Sequence, residues 1–459
     1  MITARAFAGK HYAVYGLARS GLATVEALLA SGAKVTAWDA NEDARDALVS
    51  SPRLRGEGDH PKDGGGAPPS GLRPATSPGN PGEETLTIAD LDAADLSHFD
   101  SIVVTPGLPL NRHPIAARAR DAGVEIIGDV ELFARARPEL PPHKVVGITG
   151  TNGKSTTTAL VHHILQTAGV PSAMGGNIGL PILAQDPLPE GGVYVLELSS
   201  YQLDLTQTLD CDVAVLLNIT PDHLDRYDSF EAYAASKARL FQMKAPEHLG
   251  IIDDATELQF GTGFTATSPL LTFEAKYPLE GQVDWPTLQG PHNAQNVEAA
   301  WSACQALGCS DEQIQEGLRT YPGLPHRMER IREKDGVTFI NDSKATNPAS
   351  TAPALAAFPA IRWILGGQAK TDNLDECAPH FGHVRSAYTI GAAAELFERI
   401  LKPHMPVKNC RELGEAVKAA AHDAESGDTV LLSPACASFH QFKDFEERGD
   451  QFRAVVEAL

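Results

Sequence analysis

The sequence has few of the features that mark secreted, metal-stabilised or membrane proteins. Its 459 residues include six cysteines but no CxxC pair, which argues against a disulfide scaffold, a redox dithiol or a zinc finger. No apolar run approaches the roughly 20 residues that span a bilayer. The first residues also lack the charged-then-apolar plan of a signal peptide. We therefore expect a cytoplasmic protein with free thiols and no membrane insertion.

Basic residues are also scarce. The chain has 38 Lys and Arg against 59 Asp and Glu, a formal net charge of −21. Such an excess of negative charge opposes broad binding to nucleic acid or to an anionic membrane. Hydrophobic residues make up 42% of the chain and charged residues 21%, which is typical of a globular protein. We therefore expect neither nucleic acid nor an anionic membrane as a partner.

The pattern of strands and helices predicts an α/β fold of three consecutive domains, at residues 1–138, 139–323 and 324–459. The first and third domains are expected to be Rossmann-like. The central one is expected to resemble a P-loop ATPase with a mostly parallel sheet. Residues 51–85 break the pattern with 8 Gly and 7 Pro in 35 residues, which indicates a flexible insertion. It is either a passive loop or a partner-binding segment.

The most specific local motif is a glycine-rich loop between a predicted strand and a predicted helix, Gly150-Thr-Asn-Gly-Lys-Ser155. Glycines let backbone N–H groups approach phosphate oxygens, Lys154 can neutralise phosphate charge, and the Ser155 hydroxyl can bind Mg²⁺. In G-x-x-x-x-G-K-[ST] the first glycine would stand at position 148, which is Ile here. The first glycine of this loop is Gly150, so its spacing to Gly153 is shorter. A glycine turn with a solvated lysine is the alternative.

Two charged residues further along the central domain suit a phosphate-binding site. Glu197 ends an apolar strand, where a P-loop fold places its Mg²⁺-binding acid, although a turn or N-cap carboxylate would look the same. Lys237 lies on a predicted helix at 230–241. By composition alone, Lys237 is a solvated cation.

Two polar tracts in the same domain are ambiguous by themselves. Asp222, His223 and Asp225 follow a strand and suit a metal site, a nucleophile-orienting group or a capped loop. Asn293 and Asn296 offer amides to a nucleobase edge, and they equally suit the start of a helix.

The outer domains place polar loops at the carboxyl ends of predicted strands, where open α/β sheets bind ligands. In the first domain, Gly16–Gly21 departs from G-x-G-x-x-G, and Asp39 ends the next strand. These residues suit a nucleoside, or else tight packing and a helix cap. The third domain has three such loops, at 341–347, 366–370 and 433–438. Three loops together indicate a site.

Taken together, these motifs resemble a known family. The phosphate loop, Glu197-Leu-Ser-Ser-Tyr201, Pro221-Asp-His-Leu-Asp225 and Asn341-Asp-Ser-Lys-Ala-Thr-Asn347 are similar to those of the Mur ligases, the ATP-dependent amino-acid ligases of peptidoglycan synthesis. The tail from Leu432 through Phe445-Glu-Glu-Arg-Gly449 resembles the branch that adds D-glutamate to UDP-N-acetylmuramoyl-L-alanine. The resemblance covers nearly the whole chain apart from the insertion. His440 stands where this pattern has Asp.

The resemblance implies a role for each matching position. The residues expected around the UDP substrate are Gly16, Leu17, Ala18, Asp39, Thr105, Pro106, Gly107, Asn177 and His223. Those expected around ATP are Gly150, Thr151, Asn152, Gly153, Lys154, Ser155, Thr156, Asn293, Asn296, Arg327 and Asp342. Those expected around D-glutamate are Lys344, Thr346, Lys370, Ser438, Phe439 and Phe445.

The resemblance also implies the metal sites and the catalytic groups. Two Mg²⁺ ions are expected, the first on Ser155 and Glu197 and the second on His223 and a carbamylated Lys237. Carbamylation replaces an ammonium, which would repel Mg²⁺, with oxygen ligands, and it requires a neutral amine that burial can supply. The expected catalytic residues are Lys154, His223, Lys237 and Arg327.

Several competing functions remain at this stage. Within the same chemistry they are the ligases adding L-alanine or a third residue, and folylpolyglutamate synthetase. The Ser433–Phe439 tail and Lys370 favour D-glutamate, and the chain has no Asp-Asn-Pro-Arg motif like that of the third-residue ligases. From other classes, the first domain alone would suit an NAD-dependent dehydrogenase, and the phosphate loop alone would suit a nucleotide-gated binding protein.

Overall fold

The computed structural model describes residues 1–50, 85–223, 225–260 and 269–459. The chain forms two compact units, Met1–Glu274 with Glu298–Ile314, and Ala275–Val297 with Gln315–Leu459. The predicted insertion at 51–85 lies outside the described residues except for Thr85. The three-domain boundaries near residues 138 and 323 stay a prediction.

The first sheet of the first unit has five parallel strands: β1 (His11–Tyr15), β2 (Lys34–Trp38), β3 (Leu86–Ile88), β4 (Ser101–Val104) and β5 (Ile126–Ile127). Their order is β3-β2-β1-β4-β5. The helices of this region are α1 (Arg19–Ala30), α2 (Glu42–Ser50), α3 (Pro114–Ala122) and α4 (Asp129–Ala136). The chain continues from β1 to β2 on one side and later to β4 on the other. The end of β1 is therefore the switch point of this sheet, where open α/β sheets bind ligands.

The second sheet of this unit has six parallel strands: β6 (His143–Thr149), β7 (Ser172–Gly176), β8 (Gly192–Glu197), β9 (Val213–Leu216), β10 (Leu249–Asp253) and β11 (Leu270–Phe273). Their order is β11-β10-β9-β6-β8-β7, so β6 lies between β9 and β8. The helices that follow are α5 (Lys154–Thr167), α6 (Ser200–Asp204), α7 (Phe230–Gln242), α8 (Asp254–Phe260), α9 (Pro291–Ala306) and α10 (Asp311–Thr320), and the last two continue from one unit into the other.

The second unit contains a sheet of six strands: β12 (Glu329–Lys334), β13 (Val337–Asn341), β14 (Ile361–Gly366), β15 (Val384–Ile390), β16 (Val407–Arg411) and β17 (Thr429–Leu432). Their order is β12-β13-β17-β14-β15-β16, and only the β12–β13 pair is antiparallel. Its helices are α11 (Pro348–Ala356), α12 (Ala394–Leu401), α13 (Leu413–Asp423) and α14 (Phe445–Glu457).

Apolar side chains bury both faces of these sheets. One core runs through both sheets of the first unit, where the Phe133 ring lies 5.0 Å from the Tyr194 ring. In the second unit, one apolar layer contains Trp363 and the other contains Phe452. Helices cover both faces of a doubly wound sheet, so its strands are apolar throughout rather than alternating. The predicted α/β class is confirmed. No helix in the described part of the chain is long and apolar enough to cross a membrane.

Candidate active site

The loop between β6 and α5 has the backbone of a phosphate cradle. Gly150 and Gly153 have φ of 152° and 84°, a region that side chains disfavour. A Cβ at Gly150 would lie 3.1 Å from the Leu217 Cβ. Lys154 is the first residue of α5, so the loop ends at the positive end of a helix dipole. This geometry suits an anionic phosphate.

The loop after β9 holds this cradle in place. The Thr151 N–H donates to the Asn218 carbonyl (2.8 Å), and the Asn152 N–H donates to Asn218 Oδ1 (2.8 Å). The Thr151 hydroxyl also lies 3.1 Å from the Tyr233 hydroxyl on α7. These contacts fix the loop before any ligand binds. Sequence reasoning missed this use of Asn218, which has no pattern of its own apart from following a strand.

Two lysine side chains converge on the same carbonyl of the loop. Lys154 Nζ donates to Gly150 O at 2.9 Å and to Thr151 O at 2.8 Å, and Lys237 Nζ donates to Gly150 O at 2.8 Å. Lys237 is 1% exposed, so its interpretation as a solvated cation is wrong. Burial, followed by the positive charge of Lys154, lowers the pKa of Lys237 to about 7. A substantial neutral fraction of this amine therefore exists near pH 7.

Glu197 ends β8 beside the cradle and is 2% exposed. Its Oε1 accepts a hydrogen bond from Asn177 Nδ2 at 2.8 Å, whereas its buried Oε2 has no partner among the described residues. Helix α6 is capped by Ser199, so the alternative role of Glu197 as its N-cap is wrong. A Cβ at Gly176 would lie 2.1 Å from Glu197 O, and this close approach brings Asn177 to the carboxylate. A buried, half-satisfied carboxylate is costly without a further partner.

The loop that carries His223 meets the end of β4. The His223 ring centroid lies 5.0 Å from that of Tyr201. The Arg226 guanidinium lies over the Tyr201 ring at 4.3 Å and donates to the carbonyls of Gly107 (3.2 Å) and Leu108 (2.9 Å). The predicted substrate positions 105–107 and His223 therefore lie on neighbouring loops. Sequence reasoning missed Tyr201 and Arg226 as parts of this site.

These loops border a cleft of about 250 Å³. Its lining includes Pro106, Asn111, Tyr201 and Arg226. Two tyrosine rings, three leucine side chains, one carboxylate and one guanidinium also border it, a mixture that suits a ligand with both apolar and polar parts. Leu224, next to His223, lies outside the described residues.

The predicted nucleoside residues of the first sheet form one turn. The Asp39 carboxylate accepts from the Leu17 N–H (2.7 Å) and the Asn41 N–H (2.9 Å), so it holds the turn after β1. Gly16 has φ of 95°. A Cβ there would lie 2.4 Å from the Thr105 hydroxyl, which brings Thr105 into the same turn. The tight packing in the alternative interpretation is confirmed, whereas the N-cap residue of α1 is an alanine, which provides no side-chain cap. Nucleoside binding stays a prediction.

The remaining predicted ATP residues lie in the second unit. Asn293 and Asn296 occupy the first turns of α9, and Asn296 Nδ2 donates to Asn293 Oδ1 at 3.0 Å. Burial raises the pKa of Asp342 to about 7, against a hydrogen bond from Ser433 and the charge of Arg327. Arg327 also contributes, after burial, to a lowered pKa of His292. The Arg327 charge thus acts on both neighbours, and its buried Nε has no hydrogen-bond partner among the described residues.

Five of the six predicted D-glutamate residues cluster at the carboxyl ends of β13, β14 and β17. Lys370 Nζ donates to Thr346 Oγ1 at 3.4 Å, and Lys344 Nζ lies 5.1 Å from the Phe445 ring centroid. Ser438 is buried. Phe439 is 71% exposed, so its ring is not packed into this cluster. Its predicted contact with D-glutamate stays a prediction.

The donor set around the phosphate loop suits magnesium better than a softer metal. The described residues contain no group of three His, Cys, Asp or Glu side chains placed to hold a metal ion. Mg²⁺ typically takes one or two protein carboxylates and completes its shell with water and phosphate oxygens. The unpartnered Glu197 Oε2 fits that requirement. The ligand assignments to Ser155, His223 and Lys237 stay predictions.

Comparison with known proteins yields matches over most of the chain. The Mur ligase middle domain matches residues 148–278, and the Mur ligase, glutamate ligase domain matches residues 326–436. A UDP-N-acetylmuramoylalanine--D-glutamate ligase of Novosphingobium aromaticivorans is 57% identical over 464 residues, covering 100% of this chain and 97% of the relative. One of Zymomonas mobilis is 52% identical and covers 100% of both chains.

Solved structures show the same fold at lower identity. The UDP-N-acetylmuramate-alanine ligase MurC of Thermotoga maritima has a TM-score of 0.56 and 16% identity, covering 98% of this chain and 99% of that one. A MurF ligase of Thermotoga maritima in complex with ADP has a TM-score of 0.55 and 17% identity, covering 78% of this chain and 90% of that one. With full-length relatives above half identity and both domains matched in order, this chain belongs to the Mur ligase family.

Proposed function

We propose that this protein is an ATP-dependent ligase that joins D-glutamate to UDP-N-acetylmuramoyl-L-alanine in peptidoglycan precursor synthesis. The names of its full-length relatives support this reaction. The observation that carries it is the convergence of Lys154 and Lys237 on Gly150 O, beside the half-satisfied Glu197. A glycine-rich loop flanked by two amines and a buried carboxylate supports a reaction of ATP.

The first step activates a carboxylate. An oxygen of the substrate's terminal carboxylate attacks the γ-phosphorus of ATP, the bond to the β-phosphate oxygen breaks, and ADP leaves an acyl phosphate behind. Two anions must approach each other, so positive charge at the phosphates lowers the barrier. Lys154 and the N–H groups at the start of α5 supply that charge in the first unit. In the second unit we assign Arg327 the same task.

The second step forms the amide bond. The ammonium of D-glutamate loses a proton to solvent, and the resulting neutral amine attacks the acyl carbon to form the N–C bond. The tetrahedral intermediate then loses a second proton from nitrogen, its C–O bond to the phosphoryl group breaks, and inorganic phosphate leaves. The D-glutamate cluster supports this acceptor, because Lys344 and Lys370 can each bind one of its two carboxylates. The Ser438 hydroxyl can add a hydrogen bond. Water would hydrolyse the acyl phosphate, so the acceptor must be bound before it forms or water must be excluded.

Magnesium completes the proposal. We assign one ion to Ser155 and Glu197 and a second to His223 and a carbamylated Lys237. When bound, Mg²⁺ neutralises phosphate charge and aligns the γ-phosphate. The chain itself holds Glu197 in place through Asn177 and buries Lys237 away from water. We further assign the enzyme three working domains and a monomeric state.

The direct test measures ADP release with UDP-N-acetylmuramoyl-L-alanine and ATP while the acceptor varies. We expect release with D-glutamate and little with L-glutamate, L-alanine or meso-diaminopimelate. UDP-N-acetylmuramate, which lacks the alanine, serves as the control donor. Release that is indifferent to the acceptor, or hydride transfer to a nicotinamide without ADP, would contradict the proposal.

Replacing Glu197 by Gln should raise the Mg²⁺ concentration needed for half-maximal activity. The amide keeps the hydrogen bond from Asn177 but loses the negative charge that a cation needs. We expect a shift of at least about 10-fold, because even the loss of a residue that orients a metal ligand weakens metal binding by that much. Glu190→Gln, an exposed change before β8, is the matched control. An unchanged Mg²⁺ dependence would remove Glu197 from the metal site.

A further inference from the structure

We infer that Arg448 is a positioning residue for the amino-acid acceptor, which ties together the three loops of the D-glutamate cluster without touching the acceptor. The inference rests on the proposed function. Arg448 lies in α14, one turn after Phe445, and its side chain is completely buried. None of the roles assigned above uses it.

The guanidinium bonds two loops directly. Its Nε donates to Ser343 Oγ at 3.0 Å and its Nη2 donates to Ser343 O at 2.8 Å. Its Nη1 donates to Cys436 O at 3.1 Å. Ser343 immediately precedes Lys344 in the loop after β13, and Cys436 lies two residues before Ser438 in the loop after β17. One rigid group therefore sets the spacing of two predicted acceptor contacts.

The third loop packs against the same guanidinium. A Cβ at Gly367 would lie 3.2 Å from Arg448 Nη1 and 2.4 Å from Ala437 O. This close approach lets the Gln368 N–H donate to Ala437 O at 2.8 Å. Lys370 follows in that loop. Arg448 thus lies where the loops after β13, β14 and β17 meet.

The charge of Arg448 is also unusual. Within the described residues no carboxylate forms an ion pair with it, and burial lowers its pKa to about 10, so it stays charged at neutral pH. An unpaired buried cation is expensive in free energy. Its positive charge, next to the loops that carry Lys344 and Lys370, favours a ligand with two carboxylates.

Arginine is required because the group must reach several acceptors at once. The guanidinium presents five N–H donors in a fixed plane, whereas a lysine ammonium is a single point on a flexible chain. A lysine here could satisfy one carbonyl and would leave another buried without a donor. The loops would then shift, although the positive charge would remain.

The test is Arg448→Lys in the full-length enzyme. We expect the KM for D-glutamate to rise by about 10-fold or more, because a misplaced contact of about 1 Å is costly, while the KM values for ATP and the UDP substrate stay within about 2-fold. The control is Arg362→Lys. Arg362 bonds Asp428 and Ser386 near the opposite ends of the strands of this sheet, so it should change the unfolding temperature but none of the KM values.

Ser343→Ala provides a milder second variant if the lysine variant does not fold. It removes one acceptor of the guanidinium and the hydroxyl's own bond to Phe445 O (2.8 Å), and it should raise the KM for D-glutamate by less. An unchanged KM for D-glutamate in the folded variants, or an equal rise in all three KM values, overturns the inference. A wild-type enzyme that releases no ADP with D-glutamate contradicts the proposed function instead.

Discussion

Replacing Lys154 by Ala should lower the rate of ADP release by about 10³-fold, because it removes a fixed positive charge from the phosphate that is being transferred. In the structure, Lys154 Nζ bonds Gly150 O and Thr151 O, so the ammonium lies inside the loop that would hold the phosphates. The alanine variant keeps the helix start and the glycines. We therefore expect it to fold normally and to lose phosphoryl transfer.

The measurement is steady-state ADP release with all three substrates present. Lys144→Ala is the matched control and should retain near-normal turnover. Lys144 is an exposed lysine near the amino end of β6, the strand whose carboxyl end leads into the phosphate loop. Binding of the UDP substrate alone, measured by calorimetry, should change little in Lys154→Ala. Near-normal turnover of that variant would show that the loop binds phosphate without its lysine.

Replacing Lys237 by Ala should also abolish most activity, and short carboxylates should restore part of it. Lys237 is buried beside Tyr233 and Gly150 O, and burial favours the neutral amine that reacts with CO₂. The reaction forms an N–C bond and releases one proton, which leaves a carbamate in place of the amine. We expect a loss of about 10³-fold and a regain of about 10-fold with acetate or formate, because the added carboxylate supplies oxygen ligands for a metal.

The informative control is Lys237→Arg, which keeps a positive charge but cannot form a carbamate. It should be as inactive as the alanine variant and should not respond to carboxylates, because the guanidinium fills the space. Mass spectrometry of the native protein under bicarbonate should detect an added CO₂ on Lys237. Activity of the arginine variant near that of the wild type would contradict the carbamate hypothesis.

The sequence could predict the location of the site because the fold class itself dictates it. Apolar strands followed by glycine-rich or polar loops were recognisable at 143–155, 337–347 and 429–438. These loops leave strands in the interior of two sheets, β6 in the six-stranded sheet of the first unit and β13 and β17 in the sheet of the second unit. Parallel strands have their carboxyl ends at one edge, so the polar loops had to cluster there.

Some local structure was missed although a signal was present. The antiparallel strand β12 is joined to β13 by Asp335-Gly336, both with positive φ. Asp-Gly between two strands is a strong hairpin signal that could have been used. Helix α4 was missed as well, because its eight residues are too few for the spacing of its apolar side chains to stand out in the sequence.

Other features depend on residues that are distant in sequence. Nothing near Lys237 in the chain indicates that it is buried, since its neighbours are those of an ordinary amphipathic helix. Its burial follows from packing α7 against the phosphate loop, 87 residues earlier. The bond between Asn177 and Glu197 and the contacts of Arg226 with Gly107 and Leu108 are likewise products of tertiary packing.

By itself, the sequence determined the α/β class, the phosphate loop and the family, because these depend on local periodicity and on motifs read along the chain. Only the tertiary structure decided which charged groups are buried away from water, which carboxylate oxygen lacks a hydrogen-bond partner among the described residues, and which guanidinium joins the acceptor loops. The physical reason is that desolvation and hydrogen bonding depend on what surrounds a side chain. For Lys237, Glu197 and Arg448, those surroundings come from segments far away in the sequence.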